Sequence, residues 1–224
     1  MKMKRYALIT LWLALLGQVL WMLGTAIGAH APGDKALYDG ALVAAFAALA
    51  AMGGRVRWLA ATLRMLVGLV LLGSVADRCG LFGPPGAPGV SWGDFAHFVA
   101  YTRDVNAFLP ASCAPALAAL ATAGETGLGF ALLVGLRPAL AARGAAVLLT
   151  LFGIAMTLSL GPAAPLPYAV WILAAGTWVL GIVDASAFSV DGWLARRRPS
   201  GPLMAGGHPD TAPVAILEAA RDGR

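Results

Sequence analysis

Residues 111–136 read ASCAPALAALATAGETGLGFALLVGL, an apolar run with a single carboxylate, Glu125. At about 1.5 Å per residue, a helix over this run is long enough to cross a membrane's hydrocarbon core of about 30 Å. The run does not alternate apolar and polar residues as a membrane-spanning strand does. It therefore predicts a transmembrane helix. A carboxylate at such depth predicts a partner or a function for Glu125.

The whole chain has the composition of a membrane protein. Of its 224 residues, 59% are hydrophobic and 12% are charged, whereas a soluble domain carries about 25% charged residues. Further apolar runs bring the number of predicted spans to six, at about 6–28, 37–54, 58–76, 111–136, 138–160 and 166–188. We therefore predict an all-α, polytopic transmembrane helix bundle.

The basic residues indicate how the bundle is oriented. One alternating set of loops holds most of them, namely Lys2, Lys4, Arg5, Arg55, Arg57, Arg137, Arg143, Arg196, Arg197 and Arg198. The other set holds Lys35, Arg78 and Arg103. The positive-inside rule then predicts a protein of the bacterial inner membrane with both termini in the cytoplasm. The net charge of +5 follows from this topology and does not indicate a nucleic-acid partner.

The apolar runs divide the chain into three parts. Residues 1–57 hold two N-terminal helices, and 58–190 hold a four-helix core. Residues 191–224 are rich in Gly, Pro and charge and are expected to form a disordered cytoplasmic tail. The basic start and the sequence AHA at 29–31 also resemble a signal peptide with a cleavage site, which would remove the first span. The apolar run is longer than the usual 7–15 or so residues, which favours an uncleaved helix.

The longest outer loop contains a candidate amphipathic helix at 92–109, WGDFAHFVAYTRDVNAFL. Helical spacing separates an apolar from a polar side, with Trp92, Phe95, Val99 and Leu109 against Asp94, His97, Tyr101 and Asp104. Such a helix is expected to lie on the periplasmic membrane surface. Its polar face is either solvated or handles protons or binds a headgroup. A lone histidine without a second ligand at metal spacing predicts no metal site.

Both cysteines are expected on the outer side, Cys79 after the third span and Cys113 at the start of the fourth. Thiols tend to be oxidised in that compartment. A bridge closing this loop would contribute about 3 kcal/mol of stability. Two free cysteines at helix ends are the alternative, and the sequence does not decide between them.

Between residues 64 and 184 the order of features resembles the DoxX family of four-helix membrane proteins. The matching stretches are LRMLVGLVLLGS, FVAYTRDVNAFLP and ETGLGFALLVGLRPALAARGAAVLLTLFGIAM. The last is similar to the family pattern E-x-x-x-G-x-x-L-x-x-G-L-x-x-R-x-A-A, and Arg78 stands near the family's basic position at the outer end of the first core helix. The chain departs from the family in its two additional N-terminal helices. It departs also in DRCGLFGPPG, which stands where the family often has a simpler turn containing Lys.

The resemblance implies a component of a quinone-linked membrane redox system, an oxidoreductase subunit with a redox partner protein. A non-enzymatic membrane scaffold or a small-solute permease is the alternative. In the redox case, Glu125 and Arg64 take up or orient the proton that accompanies electron transfer. Arg78, Asp94 and His97, together with Tyr101, are candidates for an outer-face site.

Small residues flank both members of the predicted Glu125–Arg64 pair at four positions on either side. They are Ala121 and Gly129 around Glu125, and Ala60 and Gly68 around Arg64. Small residues at this spacing let membrane helices approach closely. We therefore predict that Glu125 faces the bundle interior and that Arg64 is its nearest cationic partner.

Overall fold

The structure, a computed structural model, describes residues 2–28 and 34–197, and the regular secondary structure in these ranges is helical. The α-helices are α1 (Lys2–Gly28), α2 (Asp34–Ala51), α3 (Arg57–Arg78), α4 (Phe95–Val105), α5 (Ala114–Val134), α6 (Pro138–Leu160), α7 (Val170–Leu180) and α8 (Val190–Arg197). Single 3-10 turns, Ala111–Cys113 and Leu166–Tyr168, precede α5 and α7. The prediction of an all-α chain is confirmed for the described part.

Four helical segments are long enough and apolar enough to cross a membrane. They are Lys4–Ala26, Arg57–Arg78, Ala111–Val134 and Pro138–Leu160. The other two predicted spans coincide with shorter apolar helices, Tyr38–Ala51 and Val170–Leu180. By length and composition, four of the six predicted spans are therefore helices that could cross a membrane.

The sixth predicted span, 166–188, is not one continuous helix. Ala169, between the 3-10 turn and α7, has a left-handed backbone with φ of 50°. At the other end, the carbonyl of Gly181 accepts a hydrogen bond from Nε of Arg143 at 3.0 Å. This side-chain donor satisfies a backbone acceptor just beyond the last helical turn. Local backbone geometry thus leaves α7 with 11 residues.

The bundle has small residues inside and large apolar residues outside. Ala60, Ala118 and Ala142 are fully buried, whereas Leu120 and Leu158 are 70% and 69% exposed. A soluble protein rarely presents a continuous apolar surface to water. Helices in lipid associate through small residues, because large apolar side chains interact as favourably with acyl chains as with another helix. The distribution is therefore typical of a lipid-facing bundle.

Helices α3 and α5 form the most extensive helix pair and touch at Gly68 and Gly129. A Cβ atom added at Gly68 would lie 2.8 Å from the carbonyl oxygen of Gly129, and one added at Gly129 would lie 3.1 Å from that of Gly68. Backbone therefore meets backbone at this crossing. The predicted close approach through small residues is confirmed, and the contact fixes the register of the two antiparallel helices.

Helix α4 packs on α5 and α6 with a different face from the one predicted. Its buried residues are Phe98, Thr102 and Val105, whereas Phe95 is 42% exposed and Leu109 is 40% exposed. The face of α4 that packs on the bundle therefore differs from the predicted apolar face, and the helix is shorter than the segment 92–109. Leu109 lies beyond its end, and Phe98 turns inward instead.

The predicted disordered tail begins too early. Residues 191–197 belong to α8, so the expectation of disorder is wrong for this part. The carboxylate of Asp191 accepts a hydrogen bond from the backbone N–H of Arg137 at 2.8 Å, which ties α8 to the turn between α5 and α6. Residues 198–224 and the AHA sequence at 29–31 lie outside the described residues.

Candidate functional site

A buried ion pair joins α3 to α5. Nη2 of Arg78 lies 2.7 Å from Oε2 of Glu125, and the two side chains are 1% and 3% exposed. Counted from the end of α5 at Val134, Glu125 lies about 13 Å along the helix axis. The prediction that Glu125 faces the bundle interior is confirmed.

Hydroxyl and carbonyl groups complete the hydrogen bonding of Arg78. Its Nη1 donates to Oγ1 of Thr122 at 2.9 Å, and its Nη2 donates to Oγ of Ser74 at 2.7 Å. Its Nε donates to the carbonyl of Ser74 at 3.2 Å. Each guanidinium nitrogen thus has a partner, as a buried charge requires if its desolvation is to be offset.

Aromatic rings lie against the guanidinium of Arg78. The Cζ atom of Arg78 lies 3.5 Å from the ring centroid of Phe98 and 5.2 Å from that of Trp92. The two rings pack edge to face, with centroids 5.1 Å apart. A guanidinium over an aromatic face gains a cation–π interaction, which is stronger away from water. Phe98 and Trp92 therefore form an aromatic cover that stabilises the cation and excludes water from the pair.

Asp77, the residue before Arg78, holds this aromatic cover in place. Its buried carboxylate accepts hydrogen bonds from the backbone N–H groups of Ser91 at 3.1 Å and Trp92 at 2.8 Å. Gly93, which follows, has φ of 72°, and a Cβ there would lie 2.4 Å from the backbone nitrogen of Pro85. Only glycine fits at this position, because the loop backbone passes so close to Pro85. This role of Asp77 was not predicted, although an acid at a helix end before a Gly- and Pro-rich loop could have indicated a loop anchor.

Arg64 binds backbone carbonyls, and the predicted Arg64–Glu125 pair is wrong. Nη1 of Arg64 donates to the carbonyl of Leu132, and Nη2 donates to those of Ala187 at 3.4 Å and Phe188 at 3.3 Å. Leu132 lies in the last turn of α5, where carbonyls lack a partner within the helix. A cation is also favourable at the negative end of a helix dipole. Arg64 is therefore a C-terminal cap of α5.

The direction of side chains along α3 explains why Arg78 pairs with Glu125 and Arg64 does not. In a helix each Cα–Cβ bond tilts toward the N-terminus, so Arg64 and Arg78 of α3 both extend toward its N-terminal end. The contact between Gly68 and Gly129 places Glu125 at a level of α3 between the two arginines. Arg64 therefore extends away from Glu125. Arg78 extends toward it, and Glu125 on the antiparallel helix extends to meet Arg78.

Asp94 and His97 do not join this cluster. The Asp94 carboxylate accepts a hydrogen bond from the backbone N–H of His97 and lies 2.8 Å from its ring Nδ1. These hydrogen bonds hold the pKa of Asp94 below its usual range. The two side chains are 45% and 60% exposed, so this pair is an exposed helix cap.

Tyr101, the remaining outer-face candidate, lies at the edge of the aromatic cover. Its ring centroid is 5.8 Å from that of Trp92, and the side chain also packs against a small apolar cluster with Val105 and Met156. Burial raises the pKa of Tyr101 to about 12. The phenol is therefore protonated at neutral pH and supports the cover from the side of α6.

Cys79 and Cys113 are free thiols in the structure, the first exposed and the second partly buried. The bridge considered from the sequence is not formed. Among the residues that the structure describes, no group of three or more His, Cys, Asp or Glu side chains could hold a metal ion. The buried ion pair described in this region is that of Arg78 and Glu125.

Comparisons with protein-family models, curated proteins and solved structures give no match for this chain. The resemblance to the DoxX family therefore stays a prediction. The features of the chain that bear on function are the Arg78–Glu125 pair, its aromatic cover and the apolar helices that carry them.

Proposed function

We propose that this chain is a multi-pass protein of the bacterial inner membrane with both termini in the cytoplasm. The four long apolar helices support the membrane location, and in this proposal α2 and α7 are the two remaining crossings. An even number of crossings puts both termini on one side. The segment 181–191 contacts Arg57, Arg143 and Arg137, so these arginines lie at one end of the bundle. By the positive-inside rule that end is cytoplasmic.

Within this membrane protein, we propose that the Arg78–Glu125 pair handles protons for a quinone-linked redox system. The observation that supports this proposal is the pair itself, in which a carboxylate deep in an apolar helix lies 2.7 Å from its counter-charge. Ionisable groups at such depth are costly and mark proton relays or substrate sites. A quinone takes up protons as well as electrons when it is reduced, and Glu125 is the group in this cluster that can exchange a proton. Arg78 stabilises the ionised form of Glu125 and holds its carboxylate in a fixed position.

The aromatic cover suits a lipophilic partner. Trp92 and Tyr101 are only partly buried and pack against each other, so they offer aromatic surface close to the cation of Arg78. A quinone ring stacks on such surfaces and accepts hydrogen bonds at its carbonyl oxygens. In this proposal the electrons come from a redox partner protein, and the chain supplies the quinone surface and the proton.

A structural role in a non-enzymatic scaffold is the second candidate, and one observation favours it. Every nitrogen of the Arg78 guanidinium already has a partner in Glu125, Ser74 or Thr122. A pair of this kind would lock α3 against α5 with no chemical step. Buried ion pairs with complete hydrogen bonding do serve such purposes.

Substitution of Glu125 by glutamine separates the two candidates. Glutamine keeps the shape and a hydrogen-bond acceptor for Arg78 but exchanges no proton. The full-length protein is purified in mild detergent, its lipid extract is analysed for quinone, and the reduction of bound quinone by dithionite is followed as a function of pH. The redox proposal expects stoichiometric quinone in the wild type and a reduction whose pH dependence is altered in Glu125→Gln while the variant still folds.

Asp184→Asn is the matched control, because Asp184 is an exposed carboxylate that also pairs with an arginine, Arg57, at 2.7 Å. It should leave quinone content and pH dependence unchanged. A wild-type protein that carries no quinone, together with a Glu125→Gln variant altered only in stability, would reject the redox role and support the scaffold.

A further inference from the structure

A groove lies at the arginine-rich end of the bundle, remote from the Arg78–Glu125 pair. It has a volume of about 480 Å³ and runs between the end of α5 and helix α8. Leu133, Phe188 and Val190 contribute apolar walls, and Trp193 and Arg196 line it from α8. The groove therefore combines an apolar floor with a basic edge.

The apolar side chains of the groove are turned outward. Phe188 is 74% exposed, Trp193 46% and Val190 40%. Phe188 also has φ of 54°, a conformation that bulky residues seldom adopt. Arg64 binds the Phe188 carbonyl at 3.3 Å and so holds this backbone in place. Strained backbone conformations are often found at binding sites, and here the strained residue carries an exposed aromatic ring.

The groove carries positive charge without a matching acid. Arg196 lines it, and the guanidinium of Arg197 lies 3.7 Å from the ring centroid of Trp193. Behind the lining, Arg64 is fully buried and binds only carbonyl groups, and its Nε has no hydrogen-bond partner. Among the side chains that the structure describes, no acid forms an ion pair with these three arginines. The acid of α8, Asp191, is already bound to a backbone N–H.

We propose that this groove binds an anionic phospholipid of the adjoining leaflet. Arg196 and Arg197 bind its phosphate, and Trp193 lies at the headgroup level, as tryptophan does at membrane interfaces. An acyl chain lies along Leu133 and Phe188. Helix α8 then acts as a short interfacial helix with basic residues beside apolar ones, a pattern that attracts anionic lipid. The inference rests on the proposed membrane location and not on the proposed redox chemistry.

Lipid retention by the full-length protein tests the proposal. The protein is reconstituted into nanodiscs of phosphatidylcholine with or without phosphatidylglycerol, released, and examined by native mass spectrometry for bound lipid. We expect selective retention of phosphatidylglycerol. Arg196→Gln and Arg197→Gln should each weaken that selectivity on the order of fivefold, from the usual contribution of a basic side chain near an anionic surface.

Three further variants test whether retention depends on the groove itself. Arg103→Gln removes another exposed arginine near the far end of the bundle, where its side chain is 60% exposed, and should leave retention unchanged. Phe188→Gly suits the local backbone conformation, because glycine adopts positive φ freely. It should weaken the retention of both lipids, because the contact with the acyl chain is lost. Glu125→Gln should have no effect on retention, which separates this test from that of the redox role.

Three results would overturn the proposal. The first is equal retention of the two lipids by the wild type. The second is a loss in Arg103→Gln as large as that in Arg196→Gln, which would reduce the effect to net charge. The third is displacement of phosphatidylglycerol by inorganic phosphate alone, which would identify the groove as a phosphate site without a lipid.

Discussion

The side chains of Arg78 and Glu125 extend toward each other from opposite directions on the antiparallel helices α3 and α5. Arg78 stands at the end of α3, yet its guanidinium lies 2.7 Å from the carboxylate in the middle of α5. The tilt of Cβ atoms toward each helix N-terminus produces this convergence. It places a full charge of each sign inside an apolar bundle.

Removal of the carboxylate should destabilise the bundle strongly. Glu125→Ala leaves Arg78 buried without its counter-charge, and such a change costs about 3–5 kcal/mol. Replacement of both residues by apolar ones of similar size, Arg78→Met with Glu125→Leu, should recover most of this loss. Chemical denaturation in detergent measures both effects. A Glu125→Ala variant as stable as the wild type would show that the pair is not formed in the membrane protein.

Arg64 and Glu125 should contribute independently to stability. Because Arg64 caps α5 and Glu125 binds Arg78, the effects of Arg64→Ala and Glu125→Ala should add within about 0.5 kcal/mol. The cycle of Arg78→Ala with Glu125→Ala should instead show a coupling energy between about 0.5 and 3 kcal/mol. Unfolding free energies of the single and double variants give both values. Strong coupling between Arg64 and Glu125 would restore the pairing predicted from sequence.

Two glycines of the same helix should respond in opposite ways to alanine. A Cβ at Gly68 would lie 2.8 Å from a backbone oxygen of α5, whereas nothing lies within 4 Å of one at Gly73. Gly68→Ala should therefore cost about 1–3 kcal/mol through overpacking. Gly73→Ala should be neutral or gain up to about 1 kcal/mol from helix propensity. Thermal unfolding of the two variants tests the register of α3 against α5, and equal responses would contradict it.

The cap of α4 should weaken in acid. Hydrogen bonds from His97 hold the pKa of Asp94 below the ordinary value of 3.8, so the folded state binds this proton less readily than the unfolded state. The stabilisation is present above that value and is lost as the pH falls through the folded-state pKa. The amide resonance of His97 should report this titration in an NMR series. Asp94→Asn keeps an acceptor but cannot titrate, so the same response in that variant would assign the titration to another group.

Cys79 should be reactive on the outer side of the membrane without prior reduction. The structure leaves both thiols free, with Cys79 exposed and Cys113 partly buried. A membrane-impermeant maleimide applied to intact spheroplasts should therefore label Cys79 faster than Cys113. In a cysteine-free background, Arg55→Cys at the opposite end should be labelled only after permeabilisation. Labelling of Cys79 that requires a reductant would indicate a bridge, and labelling of Arg55→Cys from outside would reverse the proposed orientation.

The sequence by itself determined the class of fold and most of the long helices. Apolar runs bounded by Gly, Pro and charge give α3, α5 and α6 nearly their observed ends, because helix length and hydrophobicity are local properties of a chain. The small residues around Glu125 also predicted that its side chain faces another helix, since this too depends on one helix face. Local backbone conformation at Ala169 shortened the sixth predicted span, and a pattern of hydrophobicity does not reveal such a break.

Only the tertiary structure decided which cation meets Glu125 and what covers it. The small residues that flank Arg64 made it the predicted partner, but the register set at Gly68 and Gly129 and the direction of side chains select Arg78. The aromatic cover likewise depends on a loop that Asp77 anchors after it leaves α3. Register, side-chain direction and loop path relate segments that lie far apart in sequence. They are settled by packing between helices, and no single stretch of the chain contains them.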